Sequence, residues 1–75
     1  MEIDFSKSLY ELISQYPIVK DIMFEIGFKD IVKPGMIQTA GRYVTIPKGA
    51  KMKKIPLGKV IDVFEAKGFQ IIGVE

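Results

Sequence analysis

The chain has 75 residues with no cysteine and no histidine, and 11 basic side chains against 9 acids leave a formal net charge of +2. Those absences exclude a disulfide staple, thiol redox chemistry, an imidazole base and any ordinary structural zinc site. A chain this short holds one domain and buries only about 60% of the surface its unfolded form exposes, so it needs an efficient core or a partner. Residues 1–75 are therefore read as a single helical domain, with 48% apolar residues to pack it.

No stretch approaches the roughly 18 apolar residues of a membrane span. The start, Met1-Glu2-Ile3-Asp4, lacks the basic and then apolar pattern of a signal peptide, which makes the cytoplasm the default expectation.

Taken in chain order, Leu9, Leu12, Ile13 and Tyr16 fall at the spacing of an amphipathic helix. Ser8 and Glu11 suit a capping box at its start, with Ser6 as an alternative cap. Pro17 closes this helix and opens a second, in which Ile18, Val19, Ile22, Met23 and Ile26 again recur three or four apart. Gly27 ends it, and Phe28 is placed to fold back on Met23.

Lys33-Pro34-Gly35 reads as a turn, and residues 36–43 as an irregular or single-turn element. Thr45 is a candidate N-cap for a short helix running to about Lys53, with Pro47 tolerated in its first turn. Pro56 opens the last helix, where Leu57, Val60, Ile61 and Phe64 repeat the helical stripe. Gly68 closes it, with Phe69 expected against Phe64. The β-prone tail from Gln70 to Val74 offers a pairing with Glu2-Ile3-Asp4.

The fold class is mainly α: a compact array of four to five short helices, with a two-stranded ribbon of the N- and C-terminal segments as an optional addition. The likeness between Phe24-Glu25-Ile26-Gly27-Phe28 and Phe64-Glu65-Ala66-Lys67-Gly68-Phe69 is explained by two helices ending in the same glycine cap. A duplicated unit is the alternative.

Charge is distributed unevenly. Residues 31–61 carry Lys33, Arg42, Lys48, Lys51, Lys53, Lys54 and Lys59 and no acid, whereas the two flanks are net acidic. Such a segment builds a positive surface that attracts an anionic or acidic partner. Arg42, Lys48 and the helix start at Thr45 are a candidate anion site, the alternative being a solvated face with a simple cap. Tyr43 is the one aromatic residue in the segment, which gives poor support for a base-stacking platform. Asp21 and Glu25 share a helix face, more readily as solvated surface than as metal ligands. No catalytic residue, metal site or cofactor is expected, and the chain is read as non-enzymatic.

The runs Tyr10-Glu11-Leu12, Tyr16-Pro17, Ile26-Gly27-Phe28, Pro34-Gly35-Met36 and Gly41-Arg42 resemble a small helical family, Domain of Unknown Function eighteen-fifty-eight. Thr39, Thr45-Ile46-Pro47-Lys48-Gly49-Ala50, Met52 and Lys67-Gly68-Phe69 extend the resemblance over nearly the whole chain. The resemblance implies an association with di-iron cluster-repair proteins and with hemerythrin-like or PAS-like sensors. Many members carry a Cys-x-x-Cys pair where this chain has residues 28–33, so a thiol function is not carried over and the cysteine-free version is the one resembled.

The expected function is a binding module that docks on a redox or metal-sensing protein: a hemerythrin-like or PAS-like sensor, or an iron–sulfur protein. Arg42, Tyr43, Thr45, Lys48 and Lys51 are the expected binding residues, with Met36 and Met52 as adaptable apolar surface or core filler. Alternatives are nucleic-acid or small-anion binding through residues 33–59, nucleic acid being disfavoured by the acidic N-terminal third. A homodimer is compatible with each of these readings.

Overall fold

Ser8 starts the first helix as its side chain demands. Its Oγ accepts a hydrogen bond from Glu11 N at 3.2 Å, and the Glu11 carboxylate accepts one from Ser8 N at 3.4 Å. This reciprocal capping box satisfies two donors that the helix leaves open, and α1 runs Leu9–Gln15. The structure, a computed structural model, describes residues 1–74. After Pro17 comes α2, Ile18–Ile26, which buries Val19, Ile22, Met23 and Ile26. Ile18, expected in the buried stripe, is instead 51% exposed, because the face set by the other four residues turns away from it.

Gly27, at φ 137°, ends α2, and the next N–H, that of Phe28, returns to Met23 O at 3.0 Å. Two 3₁₀ turns follow, Lys29–Val32 and Ala40–Arg42. Helix α3 spans Ile46–Met52 behind its Thr45 cap, and α4 spans Leu57–Ala66 behind Pro56. Gly68, at φ 94°, then repeats the first cap: Phe69 N donates to Phe64 O at 3.1 Å. The two Gly-Phe sequences thus end their helices by the same backbone geometry, one that glycine enters without steric cost.

Strand β1, Glu2–Asp4, pairs in parallel with β2, Gln70–Ile72, with Ile3 opposite Ile71. The whole helical array is the connection between them. Ile3 and Phe5 alternate inward, and Phe5 is completely buried against Phe64, ring centroids 5.4 Å apart and near perpendicular. Phe69 meets Phe64 at 5.6 Å and Tyr16 at 5.3 Å, both edge-to-face. This chain of four rings ties the ribbon to α1 and α4, and edge-to-face pairs add stabilisation beyond area burial. Leu12, Val19 and Val60 complete the centre, and the buried set of described residues contains no polar or charged side chain.

Candidate functional site

The segment joining α2 to α3 does not fill the space beside it. Gly35, at φ 77°, turns the chain, and Thr39 Oγ1 closes that turn by donating to Gly35 O at 2.7 Å. Further on, Leu9 N donates to Val44 O at 2.7 Å and Thr45 bridges to Ser8, which fastens the start of α3 to the start of α1. Between these fixed points lies an apolar cleft of about 150 Å³. The buried Leu9, Met23, Phe28 and Ile31 line it, together with Met36, Ala40 and Val44 of the connecting segment, Thr45 at the cap of α3, and Gly49 and Met52 of the helix itself.

Gly49 keeps the cleft open. A Cβ at this position would stand 3.6 Å from Val44 Cγ1 and 3.7 Å from Phe28 Cε1, in ordinary contact with two residues that also line the cleft. Met52 is 66% exposed at the rim, so of the two readings for the methionines the surface one describes it, while Met36 is half-buried.

The mouth is spanned by an ion pair. Lys53 Nζ donates to Asp30 Oδ2 at 2.6 Å, and Lys33 Nζ lies 3.3 Å from Asp30 Oδ1. The Lys53 hydrogen bond, then that of Lys33, with the positive charge of both, hold the Asp30 carboxyl below the ordinary carboxylate value. The acid that immediately precedes the basic segment is therefore already paired. Lys48, Lys51, Lys54 and Lys59 have no carboxylate within ion-pairing distance among the described residues.

The five residues expected at a binding site are placed as follows. Thr45 lines the cleft, and its Oγ1 accepts from Lys48 N at 3.3 Å, so it is a helix cap. Lys48 and Lys51 are exposed on the outer face of α3, one turn apart. At 3.6 residues per turn, Lys48 falls beside Met52 on the rim, while Lys51 is turned further from the cleft. Tyr43 is 80% exposed. Arg42 is engaged within the molecule: its guanidinium lies 4.1 Å above the Tyr10 ring of α1, and its Nε donates to Gln38 O at 2.8 Å.

The start of α3 has few donors left for an anion. Lys48 N is taken by Thr45 Oγ1, Gly49 N by Thr45 O at 2.9 Å, and Pro47 has no N–H. Asp21 and Glu25 are exposed, and Glu25 lies 3.5 Å from Lys67, tying the end of α2 to the end of α4. Among the described residues no group of three acidic side chains converges on a metal-sized site. No helix among them is long and apolar enough to cross a membrane.

Sequence reasoning missed the cleft and the role of Asp30. The one local signal was Asp30 with Lys33 three residues on, at the border where acids stop.

Four short helices closed by a parallel two-stranded ribbon, with one apolar cleft beside α3, define a small helical domain. Residues 3–61 match the family model described as Domain of unknown function (DUF1858), and the chain belongs to that family as a cysteine-free member. The crystal structure of a conserved domain protein from Streptococcus pneumoniae TIGR4 is similar over 99% of this chain and 94% of that one, at 35% identity and a TM-score of 0.92. That likeness extends past the family match, through the end of α4 and its glycine cap to β2. No curated protein matches the chain.

Proposed function

We propose that the protein is a non-enzymatic docking module that binds a partner protein through the cleft and the basic outer face of α3. One observation carries this reading: an apolar cleft opens beside lysines that have no carboxylate partner among the described residues. Apolar surface that a small domain leaves unfilled, rimmed by charge of one sign, is the usual make-up of an interaction site. Lys48 supplies the charged rim, and the exposed Lys51 and Tyr43 extend the surface beyond it; Arg42, stacked on Tyr10, stiffens the end of the segment next to Tyr43.

The family resemblance adds the partner class to the proposal: a redox or metal-sensing protein of hemerythrin-like, PAS-like or iron–sulfur type.

The test is direct binding of such a purified partner to the wild-type chain and to a Lys48→Glu, Lys51→Glu variant at two salt concentrations. Docking predicts saturable binding that weakens in the variant and with salt. Binding of equal strength in both chains would remove the α3 face from the contact. The second reading, nucleic-acid binding through the same lysines, predicts retention of duplex or single-stranded DNA with a steep salt slope and no dependence on the cleft.

A further inference from the structure

We infer that the cleft is a socket for one bulky apolar side chain, Phe or Leu, presented by an acidic helical segment of the partner. This deepens the docking reading above and rests on it.

Size comes first. About 150 Å³ is the scale of a cavity that admits a single benzene ring, so the cleft takes one large side chain and not a row of them. The walls fit the same occupant. They are mostly aliphatic and aromatic, and Met36 and Met52 among them are the kind of flexible, polarisable side chains that re-form around an inserted ring. Gly49 adds no side chain to the α3 wall, so a larger residue there would compete with the anchor for the space beside Val44 and Phe28.

Charge selects the carrier. Asp30, the acid at the mouth, is already held by Lys33 and Lys53, so an incoming carboxylate meets no unpaired negative group there. Beyond the mouth, Lys48, Lys51 and Lys54 extend along and past α3, and Tyr43 is 80% exposed. That surface is wider than any molecule small enough to lie wholly inside the cleft. An amphipathic helix with one apolar anchor and acids on its flanks matches both parts. A second copy fits less well: of its helices with two exposed acids, α2 has Phe24 beneath Lys29 at 4.2 Å and Glu25 paired with Lys67, and α4 has Asp62 and Glu65 with no exposed large apolar residue beside them.

The experiment titrates the isotopically labelled chain with three capped, Glu- and Ala-rich helical peptides that differ at one central position, Phe, Leu or Ala. Amide shifts at Met36, Gly49 and Met52 and the affinities are read out. The Phe and Leu peptides are expected to bind at least about tenfold more tightly than the Ala peptide, the scale of a buried anchor. Gly49→Leu, or Ala40→Leu if the first variant melts early, fills the cleft from one wall and is expected to erase that difference while keeping the weak binding of the Ala peptide. Lys48→Glu with Lys51→Glu lowers all three affinities by a common factor.

Equal affinities for the three peptides in the wild-type chain overturn the socket. If those equal affinities still fall on charge reversal, the docking reading stands without it. No binding of any peptide removes both. Shifts at the same amides produced by benzene but not by the Phe peptide, or by raising the concentration of the chain alone, overturn the inference in favour of a small apolar ligand or a second copy.

Discussion

Lys53 reaches Asp30 across the mouth of the cleft, with 2.6 Å between Nζ and Oδ2, and so joins the end of α3 to the 3₁₀ turn after α2. The carboxyl is held below its usual value of 3.8, first by the Lys53 hydrogen bond and then by Lys33. A group lowered on folding stabilises the folded state above its unfolded value and loses that contribution as pH falls through the folded one. Asp30→Asn is therefore expected to lower the melting temperature at pH 7 and to make little difference near pH 2. Asp4, lowered by the Ser6 hydroxyl and then the Ser6 N–H, adds to the same acid limb. Melting curves of Asp30→Asn and wild type from pH 2 to pH 7 check this; parallel curves at every pH would show that the pair contributes nothing.

Gly73 and Gly35 make a matched pair. Both lie at nearly the same positive φ, 76° and 77°. A Cβ at Gly35 would meet nothing within 4 Å, whereas one at Gly73 would collide with the Asp4 carboxylate, which is itself held by Ser6 N at 2.9 Å. Gly35→Ala is expected to cost about 1 kcal/mol, the backbone penalty alone. Gly73→Ala is expected to cost clearly more, because it displaces Asp4 and loosens the closing of the ribbon. Urea unfolding of both variants measures the difference. In an Asp4→Ala background the cost of Gly73→Ala should fall but stay above that of Gly35→Ala, because the Ser6 backbone nitrogen, 3.0 Å from such a Cβ, remains.

The parts of the fold legible in the chain are those written at short range. The stripes Leu9, Leu12, Ile13, Tyr16 and Leu57, Val60, Ile61, Phe64 report helices because neighbours three and four apart share a face, and the capping box needs only Ser8 and Glu11. Both glycine caps are equally local. The parallel direction of the ribbon was not legible, since two β-prone segments state a tendency to pair and not an orientation. Phe5 carries a readable alternation with Ile3, yet its complete burial depends on Phe64, fifty-nine positions away. The cleft is hidden for the same reason. Leu9, Met36 and Gly49 come from three separate elements and share no period, and the stacking of Arg42 on Tyr10 is likewise a product of the tertiary fold.

Phe64 is the ring through which the core is joined, edge-to-face with both Phe5 and Phe69. Truncation of a buried Phe costs about 3–5 kcal/mol, a large share of the roughly 5–10 kcal/mol typical of a small domain. Phe64→Ala is expected to leave the chain largely unfolded at 37 °C. Phe24→Ala, at a position 38% exposed, is expected to cost much less. Circular dichroism melts of the two variants make the comparison, and similar losses would place Phe24 in the core as well.

Thr45 separates the cap from the anion site. Its hydroxyl accepts from Lys48 N at 3.3 Å, Gly49 N is engaged by Thr45 O and Pro47 has no N–H, which leaves Ile46 N as the one first-turn donor without a partner among the described residues. Loss of a threonine N-cap costs about 1 kcal/mol. If capping is its role, Thr45→Ala lowers stability by that amount equally in chloride and in phosphate at matched ionic strength. An anion site at the start of α3 predicts instead that phosphate raises the melting temperature of the wild-type chain and that the variant loses most of the rise, since ligand binding stabilises the folded state by mass action. Melts of both chains in the two salts decide between these outcomes. The donor arrangement at Thr45, Pro47 and Lys48 favours the first, which leaves the lysines of α3 free to attract a partner's acids without the helix terminus.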